Sequence, residues 1–213
     1  HWKSFMGGAQ YQIKCLLDYL GTMGRYDIHY LARRVPDERT LDGYSIHQIA
    51  GGGPMPRFGY LGDARALSRI LSRLRPDVIY QRVGCAYTGI CAHHALRHRA
   101  RLVWHAASDA DLSRDIRVAD RNFIRARLES AALAYGIRRA HRIVVQTERQ
   151  ARSLAQNYGR RADAVIANFH PAPDEVREAD DPPRIVWIAN FKQLKQPEAF
   201  IRLAEQLQGL AGV

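Results

Sequence analysis

The amino-acid sequence predicts an α/β fold in which a mostly parallel sheet is flanked by helices. Short runs of β-branched residues alternate along the chain with longer segments whose apolar residues recur every three or four positions. This alternation is typical of parallel sheets, because each helix carries the chain back to the start of the next strand. The chain has 213 residues, of which 46% are hydrophobic and 25% charged, so it can bury a core and is not intrinsically disordered.

Helices are predicted where apolar residues share one face, and strands where β-branched and aromatic residues cluster. The predicted helices cover residues 9–23, 61–74, 88–99, 122–139 and 148–158, and the predicted strands cover residues 26–31, 44–49, 77–81, 102–105, 142–146 and 164–167. Thr147 stands before the helix at 148–158, where its hydroxyl can accept a hydrogen bond from a free backbone N–H. The helix at 122–139 is expected to bury an apolar face made of Phe123, Ile124, Leu128, Ala131, Ala132 and Tyr135.

Residues 171–183 interrupt this pattern, because they are rich in proline and acidic residues and contain little that could be buried. We interpret them as a linker between a first domain, residues 1–170, and a second domain that begins at residues 184–213. Residues 184–189 are predicted to form a strand and residues 197–207 a helix. One strand and one helix cannot bury their own faces, so we expect the second domain to be truncated. A glycine pair that opens a helix without a preceding strand predicts a truncation at the front as well.

The formal net charge is +11, and all but four of the 32 cationic residues are arginines. The planar guanidinium suits phosphate and carboxylate groups, so anionic ligands or surfaces are expected partners. Arg114, Arg117, Arg121 and Arg125 recur every three or four residues and would share one helix face. That face predicts either a solvated outer surface or a patch that contacts anionic lipid headgroups. No aromatic residues alternate with these arginines, so a nucleic acid is not an expected partner.

The cysteines and the hydropathy of the chain indicate where the protein works. Cys15, Cys85 and Cys91 are too few for a disulfide framework and lack the paired spacing of a zinc site. No apolar run reaches the roughly 18–20 residues that a bilayer-spanning helix needs. The cysteines therefore predict a reducing, cytoplasmic compartment. Peripheral contact with the inner face of the cell membrane is a separate expectation, which rests on the patch of Arg114, Arg117, Arg121 and Arg125.

Two places in the first domain have the residue types of a ligand site. Gly7 and Gly8 open the first helix, where free N–H groups and the helix dipole favour a phosphate; the alternative is a turn that needs a positive φ. His105 ends a predicted strand and is followed by Asp109, and ligands of open parallel sheets bind beyond the carboxyl ends of the strands. The alternative for His105 is a structural role in the loop. His94 and His98 have a metal-like i,i+4 spacing, but a surface helix is favoured because no third ligand is in view.

Four segments, taken in order, resemble glycosyltransferases of family 4, which have the GT-B fold of two facing Rossmann-like domains. The segments are residues 7–10 before an amphipathic helix, residues 142–147 with the following helix, residues 165–168, and residues 185–191 together with 195–198. The resemblance covers nearly the whole chain. It implies that a sugar is transferred from a nucleotide-sugar donor to a glycan or lipid-linked acceptor, with retention of anomeric configuration and without a required metal.

The same resemblance implies roles for individual residues. Gly7 and Gly8 would approach the donor phosphates, and Lys195 would neutralise the leaving diphosphate. Asn190 stands where many family members have an arginine that contacts the diphosphate, and Lys192 would compensate for it. His105 would lie at the inter-domain cleft near the transferred sugar or the acceptor, with Asp109 as its closest acidic neighbour.

One departure from the family concerns the donor site. The family's pair of glutamates separated by seven residues is absent, because Glu198 and Glu205 have six residues between them and lie on a different helix. We therefore expect the 213-residue chain by itself to transfer no sugar.

Two other function classes stay open on the sequence alone. A dinucleotide-dependent dehydrogenase or epimerase needs a G-x-G-x-x-G spacing, which residues 7–9 do not provide. A non-catalytic basic module that binds an anionic surface would show salt-sensitive binding to vesicles or DNA, and no binding of nucleotide-sugars.

Overall fold

The structure, a computed structural model, describes residues 7–33, 40–41, 43–49, 59–113, 123–172, 185–189, 191 and 195–208. The chain divides into two compact units, residues 1–170 and residues 171–213. The first unit is an α/β fold with parallel strands and flanking helices, so the predicted fold class is confirmed.

The predicted helices and strands of the first unit are present, with ends that shift by a few residues. The helices are α1 (Gly8–Thr22), α2 (Ala64–Leu74), α3 (Ala86–His98), α4 (Phe123–Arg139) and α5 (Glu148–Tyr158). The strands are β1 (His29–Ala32), β2 (Thr40–Leu41), β3 (Tyr44–Gln48), β4 (Val78–Arg82), β5 (Arg101–His105), β6 (Arg142–Val145) and β7 (Ala164–Val165). Two 3-10 helices, Gly59–Asp63 and Asp109–Leu112, precede α2 and follow β5. The short strand β2 was not predicted.

The strands of the first unit form two sheets. In the four-stranded sheet, β4, β5, β6 and β7 pair in parallel and in chain order. In the three-stranded sheet, β3 pairs in parallel with β1 and in antiparallel with β2. Parallel pairing places the carboxyl ends of β4 and β5 side by side, with Arg82 opposite His105.

The main core lies against one face of the four-stranded sheet, because the buried apolar residues of its strands share that face in the pairing register. Leu102 and Trp104 of β5, Ile143 of β6, Ile137 of α4 and Leu154 of α5 are fully buried. The opposite face carries the half-buried Val103 and Val144 and the exposed Val78. The Thr147 hydroxyl accepts a hydrogen bond from the backbone N–H of Gln150, which confirms the predicted cap of α5.

Helices α3 and α4 approach backbone to backbone where two glycines meet. A Cβ atom added at Gly89 would lie 2.3 Å from the carbonyl oxygen of Ala132. A Cβ atom added at Gly136 would lie 2.4 Å from the carbonyl carbon of Thr88. Neither position has room for a side chain, so the contact depends on glycine at both.

The prediction that α4 buries its large apolar residues is wrong for four of them. Ile124 is 77% exposed and Leu128 51% exposed, and Ala131 and Tyr135 are exposed as well. The close approach of α3 admits only small side chains, so α4 turns glycine and alanine toward α3 and leaves larger apolar side chains at the surface. Within the described parts of the chain, no helix is both long enough and apolar enough to cross a membrane.

In the second unit the predicted helix is present and the predicted strand is not. The helix α6 spans Pro197–Gln208. Residues 185–189 have no strand pairing, and Ile188 is 89% exposed. The prediction of a strand there is wrong because a strand needs a neighbour to hydrogen-bond, and the described residues of this unit supply none. Trp187 instead stacks on Phe200 of α6, with ring centroids 6.1 Å apart. That this unit begins a donor-binding domain stays a prediction.

We expect Gly89→Ala and Gly136→Ala each to lower the free energy of unfolding by about 2 kcal/mol or more, because extra carbon in a filled contact forces the helices apart. Gly8→Ala is the matched control, since it also adds one methyl to a helix but meets nothing within 4 Å. Urea unfolding of the three variants measures the difference. Equal free energies of unfolding for all three variants would contradict the prediction, because they would show that α3 and α4 can move apart at little cost.

Candidate active site

Arg82 and His105 meet where β4 and β5 end. They are the last residues of their strands and stand opposite each other in the parallel register. One terminal nitrogen of Arg82, Nη1, lies 3.2 Å from Nδ1 of His105, and the other, Nη2, donates to Oδ1 of Asn168 over 2.6 Å. Arg82 is 8% exposed and His105 6% exposed, so these two side chains are buried, whereas Asn168 is exposed. Three segments of the chain therefore converge at one edge of the sheet.

Tyr80 adds a third contact to the histidine ring. It stands two residues before Arg82 in β4, so both side chains project from the same face of the strand. The Tyr80 hydroxyl lies 2.7 Å from Nδ1 of His105. Burial, and next the charge of Arg82, lower the pKa of His105 to about 4. His105 is therefore uncharged at neutral pH.

The turn after β4 is strained and is held by side chains. Val83 has a φ of +78°, which is rare for a β-branched residue. Its carbonyl accepts hydrogen bonds from Nε2 of Gln81 at 2.7 Å and from Nε1 of Trp104 at 3.4 Å. The Thr88 hydroxyl donates to Oε1 of Gln81 and orients that amide. Strain of this kind persists only where the surroundings enforce it, so the exit of the chain from Arg82 is fixed.

The loop after His105 is also fixed by hydrogen bonds to its backbone. The buried carboxylate of Asp111 accepts from the backbone N–H groups of Ala107 at 2.7 Å and Ser108 at 3.2 Å. The side-chain amide of Gln146, which follows β6, donates to the carbonyl of Ala106 at 2.9 Å. These contacts hold the backbone that leads away from the histidine.

Asp109 does not share the hydrogen bonds of His105. Its carboxylate accepts from Nε2 of Gln150 at 3.0 Å and pairs with Arg149, both on α5. The hydrogen bonds of the His105 ring run instead to Tyr80 and Arg82. Asp109 thus joins the loop after β5 to α5. The side chains that contact the His105 ring, Tyr80 and Arg82, come from β4.

The start of α1 lies beside the segment that carries Asn168. The amide of Gln12 makes two hydrogen bonds to the backbone of Phe169, one to its carbonyl at 2.5 Å and one from its N–H at 3.0 Å. Tyr11 stacks on His170, with ring centroids 5.3 Å apart. One turn earlier, Gly7 is the N-cap of α1. The structure thus brings the first turn of α1 to the segment that Arg82 holds.

The glycine pair needs no unusual backbone. Gly7 has a φ of −84° and an extended conformation, so the alternative of a turn that needs a positive φ does not apply to it. A Cβ atom at Gly8 would meet nothing within 4 Å, which leaves open space at the first turn of α1. Backbone N–H groups in such a place can receive an anion.

The other predicted site residues lie elsewhere. Lys195 belongs to the second unit, where it is exposed two residues before α6 begins. Asn190 and Lys192 lie outside the described residues. The arginine stripe is the set of four arginines expected to share one helix face; Arg114, Arg117 and Arg121 also lie outside the described residues, and Arg125 lies on α4. His94 and His98 stack, with ring centroids 4.3 Å apart, and the described residues contain no group of three side chains that could hold a metal ion.

Sequence reasoning missed Arg82 and Tyr80. Arg82 follows directly on the predicted strand at 77–81, and a charged residue at the carboxyl end of a buried strand is the signal that could have found it. Tyr80 carries no such signal, because its role depends on the side chain that the neighbouring strand presents.

A comparison with known protein families gives a match over most of the chain. The family model described as Glycosyltransferase Family 4 matches residues 6–169. The chain belongs to glycosyltransferase family 4. The matched range contains Gly7, Gly8, Arg82, His105 and Asn168, and it coincides almost completely with the first unit. A comparison with curated proteins finds no match.

Membership in glycosyltransferase family 4 agrees with the resemblance read from the sequence. The first unit is the Rossmann-like N-terminal domain of a GT-B fold, and its activity belongs to the glycosyltransferases. The cluster of Arg82, His105 and Asn168 lies at the edge of the sheet where open parallel α/β folds bind their ligands. Its two unpaired buried nitrogens within the described chain, Nε of Arg82 and Nε2 of His105, each cost about 1–3 kcal/mol until a partner is supplied.

The free energy of unfolding should depend on the protonation of His105. The ring has a pKa of about 4 in the folded chain and about 6.5 when unfolded, so the unfolded state binds more protons between these values. The contribution of His105 to the free energy of unfolding is fully present above about pH 6.5, and it falls by about 2 kcal/mol from pH 7 to pH 5. Urea unfolding of the wild-type chain and of His105→Gln, which does not titrate, isolates this term. A difference between the two chains that stays constant with pH would contradict it.

Proposed function

We propose that the protein transfers a sugar from a nucleotide-sugar donor to a glycan or lipid-linked acceptor with retention of anomeric configuration. The observation that carries this proposal is the convergence of Arg82, His105 and Asn168 at the carboxyl edge of the sheet, beside the first turn of α1. An uncharged histidine and a buried cation can bind the hydroxyl and phosphate oxygens of such substrates. The activity would belong to glycan biosynthesis.

His105 is the residue that we place nearest the transferred sugar or the acceptor. Its ring is buried, uncharged and held by contacts to Tyr80 and Arg82, so it can bind a sugar oxygen without any rearrangement of its own. Asp109 has the supporting role of joining the loop after β5 to α5 through Gln150 and Arg149. We propose no covalent intermediate.

The phosphate groups of the donor are assigned to backbone N–H groups and cations. Gly7 and Gly8 offer open backbone at the start of α1, whose dipole favours negative charge. Lys195 would neutralise the charge that builds on the leaving diphosphate, and Asn190 and Lys192 would contact the same group. Because these positive groups can supply the neutralisation, we propose that no metal is required.

We expect Lys195→Ala to lower kcat by about 100-fold, because a charge that stabilises the departing diphosphate is removed. Lys195→Arg should keep part of the activity, since the charge is retained. The control is Lys14→Ala, which removes an exposed lysine that pairs with Asp18 on α1, and it should leave the rate unchanged. The assay measures release of nucleoside diphosphate by the full gene product from a panel of nucleotide-sugars.

Two measurements in that assay test the remaining parts of the proposal. NMR of the glycosylated product reports the anomeric configuration, and inversion would overturn the retaining assignment. Addition of EDTA tests the metal, and complete loss of transfer would show that a divalent ion is needed. Absence of transfer from every nucleotide-sugar tested would overturn the proposed function.

We also propose peripheral contact with an anionic membrane through α4 and the arginine stripe. Ile124 and Leu128 are exposed one turn apart, and the same helix carries Arg125 and the exposed Arg127. Apolar side chains beside cations suit the boundary between anionic headgroups and acyl chains. With Arg114, Arg117 and Arg121, this surface would place the protein at the inner face of the cell membrane.

Vesicle sedimentation tests this contact. The double substitution Ile124→Ser with Leu128→Ser should weaken binding to phosphatidylglycerol vesicles about tenfold or more, because two apolar side chains no longer enter the lipid. Leu96→Ser is the control, because it removes an exposed leucine from α3. Binding should also fall as salt rises. Equal loss in the double variant and the control would show that α4 is not the contact.

A further inference from the structure

Two side chains lie within hydrogen-bond distance of one nitrogen of the His105 ring. The Tyr80 hydroxyl lies 2.7 Å from Nδ1, and Nη1 of Arg82 lies 3.2 Å from the same atom. A guanidinium has N–H donors and no acceptor. Nδ1 must therefore accept the hydrogen bond from Arg82, and it cannot carry a proton itself. A tyrosine hydroxyl that points at the same lone pair donates as well.

We infer that Arg82 and Tyr80 are positioning residues that hold His105 as the neutral tautomer with its proton on Nε2. The ring would then serve the proposed sugar transfer as a hydrogen-bond donor and not as a base. This use of the ring rests on the proposed function, whereas the tautomer itself follows from the contacts of the side chains.

The remaining nitrogen supports this inference. Nε2 of His105 is buried and has no hydrogen-bond partner within the described part of the chain. With the proton on Nε2, the ring offers one unused N–H donor at the edge of the sheet. An oxygen acceptor on the sugar substrate would fit this group, because a buried donor gains most from a partner that arrives with the ligand.

The position of Arg82 is itself secured. Its second terminal nitrogen donates to Asn168, whose neighbour Phe169 is bound on both sides of its peptide by Gln12 of α1. Arg82 cannot turn away from His105 without breaking the contact to Asn168. The cation also opposes protonation of the ring, which agrees with the lowered pKa of His105.

A base role for His105 is excluded by the same contacts. The lone pair on Nδ1 is occupied by two donors, and Nε2 already bears the proton. Proton abstraction at Nε2 would need the other tautomer, in which Nδ1–H would face the N–H of Arg82. Two donors facing each other in a buried site are strongly unfavourable.

NMR of the chain labelled with 15N-histidine tests the tautomer directly, since the shifts of the two ring nitrogens differ between the tautomers and the cation. The His105 signals are assigned by their absence in His105→Gln. At neutral pH we expect a protonated Nε2 and an unprotonated Nδ1. His141 is an internal reference, because its Nδ1 accepts a hydrogen bond from the backbone N–H of Leu102 at 3.0 Å. A protonated Nδ1 on His105, in either the other tautomer or the cation, would overturn the inference.

Substitution of the two donors tests which residues set the tautomer. In the double variant Arg82→Met with Tyr80→Phe, we expect the His105 pKa to rise toward its ordinary value and both tautomers to be populated. The His141 signals should stay unchanged, which shows that the sheet has kept its fold. Tyr80→Phe alone should leave the tautomer unchanged, because Nδ1 of His105 still faces an N–H of Arg82 and must accept that hydrogen bond. Unchanged His105 signals in the folded double variant would overturn the positioning role.

The pH dependence of transfer separates this inference from the proposed function. In the wild-type enzyme His105 should contribute no ionisation to kcat near neutral pH. In the double variant, kcat should fall below about pH 6.5, where the released histidine becomes protonated. The NMR experiment needs no substrate, so it tests the tautomer of His105 even if no sugar transfer is found. A wild-type profile that tracks deprotonation of His105 near neutral pH would contradict the donor role.

Discussion

The buried guanidinium of Arg82 connects three parts of the chain that lie far apart in sequence. It ends β4, contacts His105 at the end of β5 and donates to Asn168 beyond β7. Both of these partners are neutral acceptors, so the contacts hold the arginine in place without cancelling its charge. A buried charge is costly unless its N–H groups are bonded, so the bonds of Nη1 and Nη2 favour a fixed arrangement of the three segments, although Nε has no partner among the described residues. The remaining positive potential favours ligands that are rich in oxygen or negatively charged.

The rest of the edge is held in a different way, by amide side chains that bind backbone. Gln12 holds the peptide of Phe169, Gln146 holds the carbonyl of Ala106, and Gln81 holds the carbonyl of the strained Val83. An amide can donate and accept at once, and it adds no charge to compete with that of Arg82. Rigid loops on a packed sheet are what precise placement of a reacting group requires. Rigid loops suit a member of glycosyltransferase family 4, because sugar transfer depends on the orientation of two substrates.

Several features of the first unit follow from local sequence patterns. Two expectations about the chain were wrong, because each depended on which other helices or strands lie beside the segment. The helices, the cap at Thr147 and the position of His105 at a strand end were predicted, because periodicity and capping act within a few residues. The strand expected at residues 184–189 has no pairing over its described residues, 185–189, because a strand exists only with a partner. The exposure of Ile124 and Leu128 could not be predicted from periodicity either, because the close contact at Gly89 and Gly136 sets which face of α4 is buried.

The sequence by itself determined the α/β class, the family resemblance of its segments and the strand end at which His105 stands. Only the tertiary structure decided what His105 is bonded to. Arg82 and Asn168 are 86 positions apart, and Tyr80 and His105 are 25 apart. Contacts over such separations depend on which strands become neighbours and in what register. The physical reason is that hydrophobic periodicity specifies that a strand is buried, whereas the identity of the side chain beside it is set by the pairing of the whole sheet.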